Sequence, residues 1–520
     1  MNKKNKIFFI LLFALIVQFN FANINAQATY SIKTLADWNT FANDSPKISN
    51  ATINIENDID FTNYKEIEYV FINPGVTLNG NGHTFSNIKL SKYFITKNRG
   101  MISNLKFDKV TINGPAKEMF IGIVRVNYGF MEKITVTNSK FKGHEYVGIV
   151  SRNFGSMNII TGKNITVTAN RYSGAVAGMN TSALTPTGKK EKVSAVGTTR
   201  IYNVSLEDIV VQSTLKAANK SYRNAVISGK KDCTGDFLGG AIGANAEAFA
   251  KNIKVNKVRV YGDDFVGGVF GGVLGGNKNA VQKSIADKIT ATNVTVYGGT
   301  KVGGLVAYVG DYQKINLNRI SPYKKNHTKI QAILANSTLS GNVTINGATE
   351  VGGAVGYNLS GKISNVVAKG SNVKKFNVTA YGEEAGGLVA DNEFGYVESS
   401  RTNLNVKSKI QAGGFVADNE GSIIKSISTG KVHTSRDAGG FIGSNMGIII
   451  NCKAYGDVNT TLAAGGKKRP VNSGNFAGYN HNGTYKGVKL KGTIKKSKGY
   501  GDRFLKGKKL PYQANGGYGK

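Results

Sequence analysis

The sequence predicts an all-β fold: a right-handed parallel β-helix, or β-solenoid, with about three short strands per coil. Three observations lead there. A glycine-centred phrase recurs every 26 residues or so, β-branched segments follow its copies, and polar Asn-x-Gly punctuation separates them. One such unit cannot bury an apolar face alone. Stacked units can, with strand on strand and inward Ile, Val, Leu and Phe piled in ladders. Propeller blades repeat at about 40 residues or more, and parallel crossovers favour the right hand.

The phrase begins as Ile121-Gly122-Ile123-Val124, Val147-Gly148-Ile149-Val150 and Ser173-Gly174-Ala175-Val176, with glycines 26 and 26 apart. It becomes a glycine pair in Leu238-Gly239-Gly240, Val266-Gly267-Gly268, Val302-Gly303-Gly304, Val351-Gly352-Gly353, Ala385-Gly386-Gly387, Ala412-Gly413-Gly414 and Ala438-Gly439-Gly440. The pair lets the chain bend tightly or lets coils approach closely. Asn127-Tyr128-Gly129, Asn153-Phe154-Gly155, Asn419-Glu420-Gly421 and Asn445-Met446-Gly447 follow four copies. Asn and Gly tolerate positive φ, so these read as turns.

Two phrases, Val351-Gly352-Gly353-Ala354-Val355-Gly356-Tyr357-Asn358 and Ala438-Gly439-Gly440-Phe441-Ile442-Gly443-Ser444-Asn445, resemble the GLUG motif of bacterial surface proteins. That motif occurs in adhesins and in the non-catalytic part of IgA-specific metallopeptidases. Ile32–Trp38 resembles the opening cap of such proteins, and Glu56–Phe61 and Leu78–Phe85 their first coils. The resemblance spans roughly residues 30 to 485. It implies a pectin-lyase-like solenoid at a cell surface and no particular reaction.

In chain order, Lys3, Lys4 and Lys6, the apolar run Ile7 to Val17, and Ala26-Gln27-Ala28 read as a secretory signal over 1-28. No other stretch is apolar enough to span a membrane, so the expected location is secreted or cell-surface. Residues 29-50 are the expected N-terminal cap, with a short helix from Leu35 to Ala42 over the open core. The solenoid is expected over 51-485. Glycine intervals of 66 (Gly174 to Gly240) and 49 (Gly304 to Gly353) mark insertions near 181-232 and 308-345. These carry Lys189, Lys190, Lys192 and Arg223, and Lys324 and Lys325. Residues 486-520 form a basic cap or tail, where Lys495, Lys496, Lys498, Arg503, Lys506, Lys508 and Lys509 alternate with Tyr500, Phe504 and Tyr512. Val488 and Leu490 share one face there, opposite Lys489 and Lys491.

Composition narrows the function. Lys and Arg number 67 against 32 Asp and Glu, a net charge of +35. Such an excess suits an acidic polysaccharide or other polyanion, or a host or cell surface. Lys189, Lys190, Lys192, Lys324, Lys325, Lys495, Lys496, Lys498, Arg503, Lys508 and Lys509 are the candidate ligand-binding residues.

Catalysis has little support. His144-Glu145 lacks the second histidine of H-E-x-x-H, and the five histidines show no metal-ligand spacing. Asp263-Asp264 and Glu383-Glu384 read as exposed turns. A polysaccharide lyase acting on a uronate glycan is the enzyme alternative, and a structural stalk or surface layer the other. No cofactor is expected. Cys233 and Cys452 lie about eight coils apart, roughly 40 Å at about 4.8 Å per coil, which predicts two unpaired core thiols.

Overall fold

The computed structural model describes residues 27–515 except 68, 183–198, 214–235, 276–282, 312–330, 373, 462–471 and 486. Most of the segment read as a secretory signal, up to residue 26, and Cys233 therefore fall outside the described residues. The chain is a parallel β-solenoid with three long sheets: a broad one of 32 strands, a second of 13 and a third of 10. One coil runs from Gln411–Gly413 in the third sheet, through the glycine pair, to Val416–Asn419 in the second. It then enters the broad sheet as Ser422–Ile424, Ile427–Ser428 and Val432–Thr434. The glycine phrase thus divides between the third and second sheets, and the β-prone segments after it all fall in the broad sheet, whose part of the coil is bent twice. In Phe130–Lys142 the bends fall at Lys133 and Asn138, whose φ values are 53° and 51°. In later coils the same bends split the run into three strands.

Alternation dictates the core. Ile134, Ile160, Val204, Ile253 and Ile289 are register partners on successive coils, and all are buried. Each contributes roughly 1.5–3 kcal/mol by leaving water. At the N-terminal end a helix, Leu35–Asp44, lies over the open stack. Thr34 caps it: its hydroxyl accepts from the Asp37 amide, while the Asp37 carboxylate accepts from the Thr34 amide. Trp38, Phe41 and Ala42 face the core.

The glycine pair works by close approach, not by unusual backbone angles. None of these glycines has positive φ. A Cβ on the second glycine would collide with the carbonyl oxygen of its counterpart one coil on, as at Gly387 against Gly414 and Gly414 against Gly440. The Asn-x-Gly reading needs correction for the same reason. Asn127, Asn153, Asn419 and Asn445 have no positive φ and are fully buried. Their side chains form a ladder in which Nδ2 donates to the next Oδ1. It runs Asn98, Asn127, Asn153, Asn180, Asn245, and again Asn358, Asn392, Asn419, Asn445, Asn480, at 2.6–2.7 Å. Val273 and Val309 interrupt it. Within each run an amide is paired with the coil above and below, which makes its burial tolerable; only the first members, Asn98 and Asn358, leave Oδ1 without a partner among the described residues.

The insertion boundaries also need correction. Arg200–Gln212 is a regular broad-sheet run paired with Ser156–Thr168 and Phe249–Tyr261. Ala332–Ala335, Thr338–Ser340 and Thr344–Gly347 likewise belong to the stack. The basic tail closes the C-terminal end. Thr493–Lys495, Lys498–Gly499 and Arg503–Leu505 pair with the preceding coil, and Lys508–Leu510 turns back antiparallel. Cys452 is an unpaired buried thiol, its pKa pushed up to about 12 by burial, so it is an inert core residue.

Candidate functional site

Two surfaces gather chemistry. The first is the C-terminal third of the broad sheet. Register sets Arg401, Ile427, Lys453 and Lys498 in one outward column. Two residues along each strand, Tyr455 and Tyr500 point the same way, with Ala454 and Gly499 turned inward. The two tyrosine rings stack at 4.9 Å and 10°, half exposed, and the Lys498 ammonium lies 5.3 Å from the Tyr500 ring. Lys425, Lys495 and Lys496 are exposed on the adjoining facet and corner. Among the described residues no carboxylate pairs with Lys453, Lys495, Lys496 or Lys498 within 4 Å. Further toward the N-terminus the same sheet carries a groove of about 780 Å³ whose lining includes Tyr202, Phe249, Lys251 and Ile285.

The second surface is a cleft where the outer faces of the second and third sheets fold against each other. One third-sheet position, two residues before the first glycine of each phrase, supplies its floor. It reads Tyr146, Tyr172, Phe237, Phe265, Lys301, Glu350, Glu384, Gln411, Asp437 along the stack. The aromatic members stack at 4.5–5.3 Å. The facing second-sheet column is Tyr308, Tyr357, Asp391, Asp418, Ser444, Tyr479. Lys301 marks the change from aromatic to acidic. Its ammonium meets Glu350 at 2.7 Å and lies 5.7 Å from the Phe265 ring and 5.2 Å from the Tyr357 ring. The Tyr357 hydroxyl donates to Glu393, as does that of Tyr485 at 3.3 Å. Tyr485 comes from a hairpin, Asn482–Tyr485 with Val488–Lys491, that roofs this end of the cleft. The hairpin keeps the expected alternation of Val488 and Leu490 against Lys489 and Lys491.

The carboxylates here are held far from their ordinary state. Burial, then the charges of Glu420, Glu384 and Asp418, push the Asp391 pKa well up. Burial, then Asp418 and Glu350, do the same to Glu384. Burial raises Asp418 to about 6, against hydrogen bonds from Ser444, the Asn419 amide and Gln411. Lys301 is also raised: burial opposes its charge, but Glu350 outweighs it.

A pH dependence follows. Carboxyls raised in the folded state stabilise the fold below their unfolded pKa of about 4. That contribution is lost as pH rises through the folded values, from about 6 for Asp418. His433 and His481, lowered by burial, act in the opposite sense in this window. The Asp418→Asn variant isolates the term: its stability relative to the parent rises between pH 5 and pH 8 in urea titrations. A constant difference across that range contradicts the assignment.

The sequence-selected residues separate clearly. Lys189, Lys190, Lys192, Lys324 and Lys325, with Arg223, lie outside the described residues. Lys495, Lys496 and Lys498 join the broad-sheet face. Lys508 is exposed on the closing hairpin, and Lys509 pairs with Asp502 at 2.7 Å. Arg503 needs correction: it is buried, and its guanidinium donates to the Ser473 and Pro511 carbonyls and to Gln513 at 2.6–2.9 Å. It fastens the end of the stack. The exposed-turn reading of the acidic pairs also fails in part. Glu383 is exposed, but Asp263 is buried, Asp264 bonds to Thr300, and Glu384 sits in the cleft. Sequence reasoning missed Lys453, Tyr455 and the cleft. The shared position before the glycines was the available signal for the cleft.

No family model and no curated protein matches the chain. Among solved structures, a protein from Bacteroides ovatus provisionally assigned as an immunoglobulin A1 protease is 12% identical. The match covers 86% of this chain and 81% of that one, with a TM-score of 0.20. A score that low does not amount to a shared fold. Among the described residues, no helix is long and apolar enough to cross a membrane.

Proposed function

We propose that the protein is a non-enzymatic binding scaffold of the cell exterior that engages an acidic polysaccharide along the C-terminal third of its broad sheet. One observation carries the reading: Lys453 and Lys498 stand in register beside the stacked, exposed Tyr455 and Tyr500. Ammonium groups repeating at about 4.8 Å offer a run of charge to a polyanion, and the rings offer faces on which sugars pack. The signal-like N-terminus supports an exterior location. The lyase alternative gains nothing from the cleft, since its carboxylates would repel a uronate.

The test is binding of polygalacturonate and of a sulfated glycan to the full chain at low salt. Each charge-assisted contact is worth about 1–2 kcal/mol, so Lys453→Ala/Lys498→Ala weakens binding at least roughly tenfold. Tyr455→Ala/Tyr500→Ala weakens it further. Unchanged affinity in both double variants removes this face from the account.

A further inference from the structure

The cleft between the second and third sheets contains its own template. Lys301 shows how it accommodates an ammonium: one carboxylate from the neighbouring coil at 2.7 Å, and aromatic rings from both sheets at 5.2 and 5.7 Å. The next coils carry further carboxylates in the same two columns and no cation. Glu384 follows Glu350 in the floor column, and Asp391 and Asp418 follow Tyr357 in the facing column. The acidic side chains thus continue where the ammonium stops.

An independent observation marks this stretch of the cleft. Asp391 is more than nine-tenths buried, and its Oδ1 has no hydrogen-bond partner. A buried carboxylate oxygen without a donor is costly, and a protein normally satisfies it. Glu384 and Asp418 are largely buried but keep some exposed surface, so the position is reachable from solvent. Among the described residues, no three Asp, Glu, His or Cys side chains converge closely enough to hold a metal ion. An ammonium makes weaker geometric demands. It brings three donors and no acceptor, matching a site rich in acceptors and bordered by Tyr357 and Tyr485.

We propose that this cleft binds a primary ammonium group carried by a small molecule, seated two to three coils beyond Lys301 among Glu384, Asp391 and Asp418. Burial raises the pKa of these carboxyls, and an ammonium beside them favours their ionised form. The site is separate from the broad-sheet face and does not depend on what binds there. A net charge of +35 repels cations from the rest of the molecule, so non-specific amine binding is suppressed.

The experiment is calorimetric titration of the full chain at pH 7 with two probes, 1,5-diaminopentane and glucosamine. N-acetylglucosamine is the uncharged control. The expected result is saturable one-site binding of an amine and none of the control, and the tighter amine identifies a free amine or an amino sugar as the source. Asp391→Asn and Glu384→Gln, both close in shape to the parent, each weaken binding about tenfold or more. Lys453→Ala/Lys498→Ala leaves it unchanged. The proposal is overturned if neither amine binds, if both cleft variants bind as the parent does, or if calcium chloride binds where no amine does.

Discussion

Replacing Gly414 with valine is expected to destabilise the solenoid by about 3 kcal/mol or more. Gly414 does not need unusual backbone angles. It needs empty space, because a Cβ would lie within the radius of the Gly440 carbonyl oxygen, and Gly387 stands in the same relation to Gly414. Backbone cannot swing aside as a side chain can, so the coils must part. Parting them breaks the hydrogen bonds that the Gly414 and Phe415 amides donate to the Gly439 and Phe441 carbonyls and disturbs the stacked Phe415 and Phe441 rings at 4.7 Å. In a stack, stability is a sum over neighbouring interfaces. The lesion therefore acts on the interface between the Gly414 and Gly440 coils and leaves distant coils intact. Urea unfolding followed by hydrogen exchange is the measurement. The expected result is lost protection confined to the two coils that meet there, near residues 411–461, and uniform protection would show that the close approach is not needed.

The second large effect is expected at the other end. Trp38→Ala removes the side chain that plugs the open N-terminal core. The indole stacks on Phe94 at 4.8 Å and 8°, and meets Phe41, Phe61 and Phe85 at 5.1–5.9 Å. It is fully buried. Large-to-small changes of this kind cost about 3–5 kcal/mol. A solenoid end has only one neighbouring coil, so the loss exposes the first coils directly to water. Limited proteolysis should cut the variant between the cap and the first coils while sparing the later ones. A variant as resistant as the parent would remove the helix from its capping role.

The repeat was legible because glycine spacing reports a steric requirement that recurs once per coil. The capping helix was expected where Ile32–Trp38 resembles an opening cap, and Thr34, Asp37 and Trp38 supply the capping pair and the apolar face that form it. The asparagine ladder was not. Asn-x-Gly has the same composition whether the asparagine bends the chain or points inward, and only parallel register distinguishes the two. Nor was the cleft. Glu384 precedes its glycine pair just as Phe265 does, yet one reads as surface and the other as core when each is taken alone. Read down the column from Tyr146 and Tyr172 to Glu350 and Glu384, the position is visibly a covered one. The Lys453 and Lys498 column stayed hidden because 45 residues separate its members, including residues 462–471 and the roofing hairpin. Arg503 was misread because a basic run does not reveal which of its members turns inward.

The account rests on the claim that this scaffold binds an acidic polymer through its ammonium groups. The most direct test is the affinity of the intact chain for polygalacturonate across a salt series from about 50 to 200 mM, a range over which screening tightens steeply. The account predicts that log affinity falls linearly with log salt, with a slope that Lys453→Ala/Lys498→Ala makes shallower. An affinity indifferent to salt, or a slope the variant leaves untouched, would contradict it.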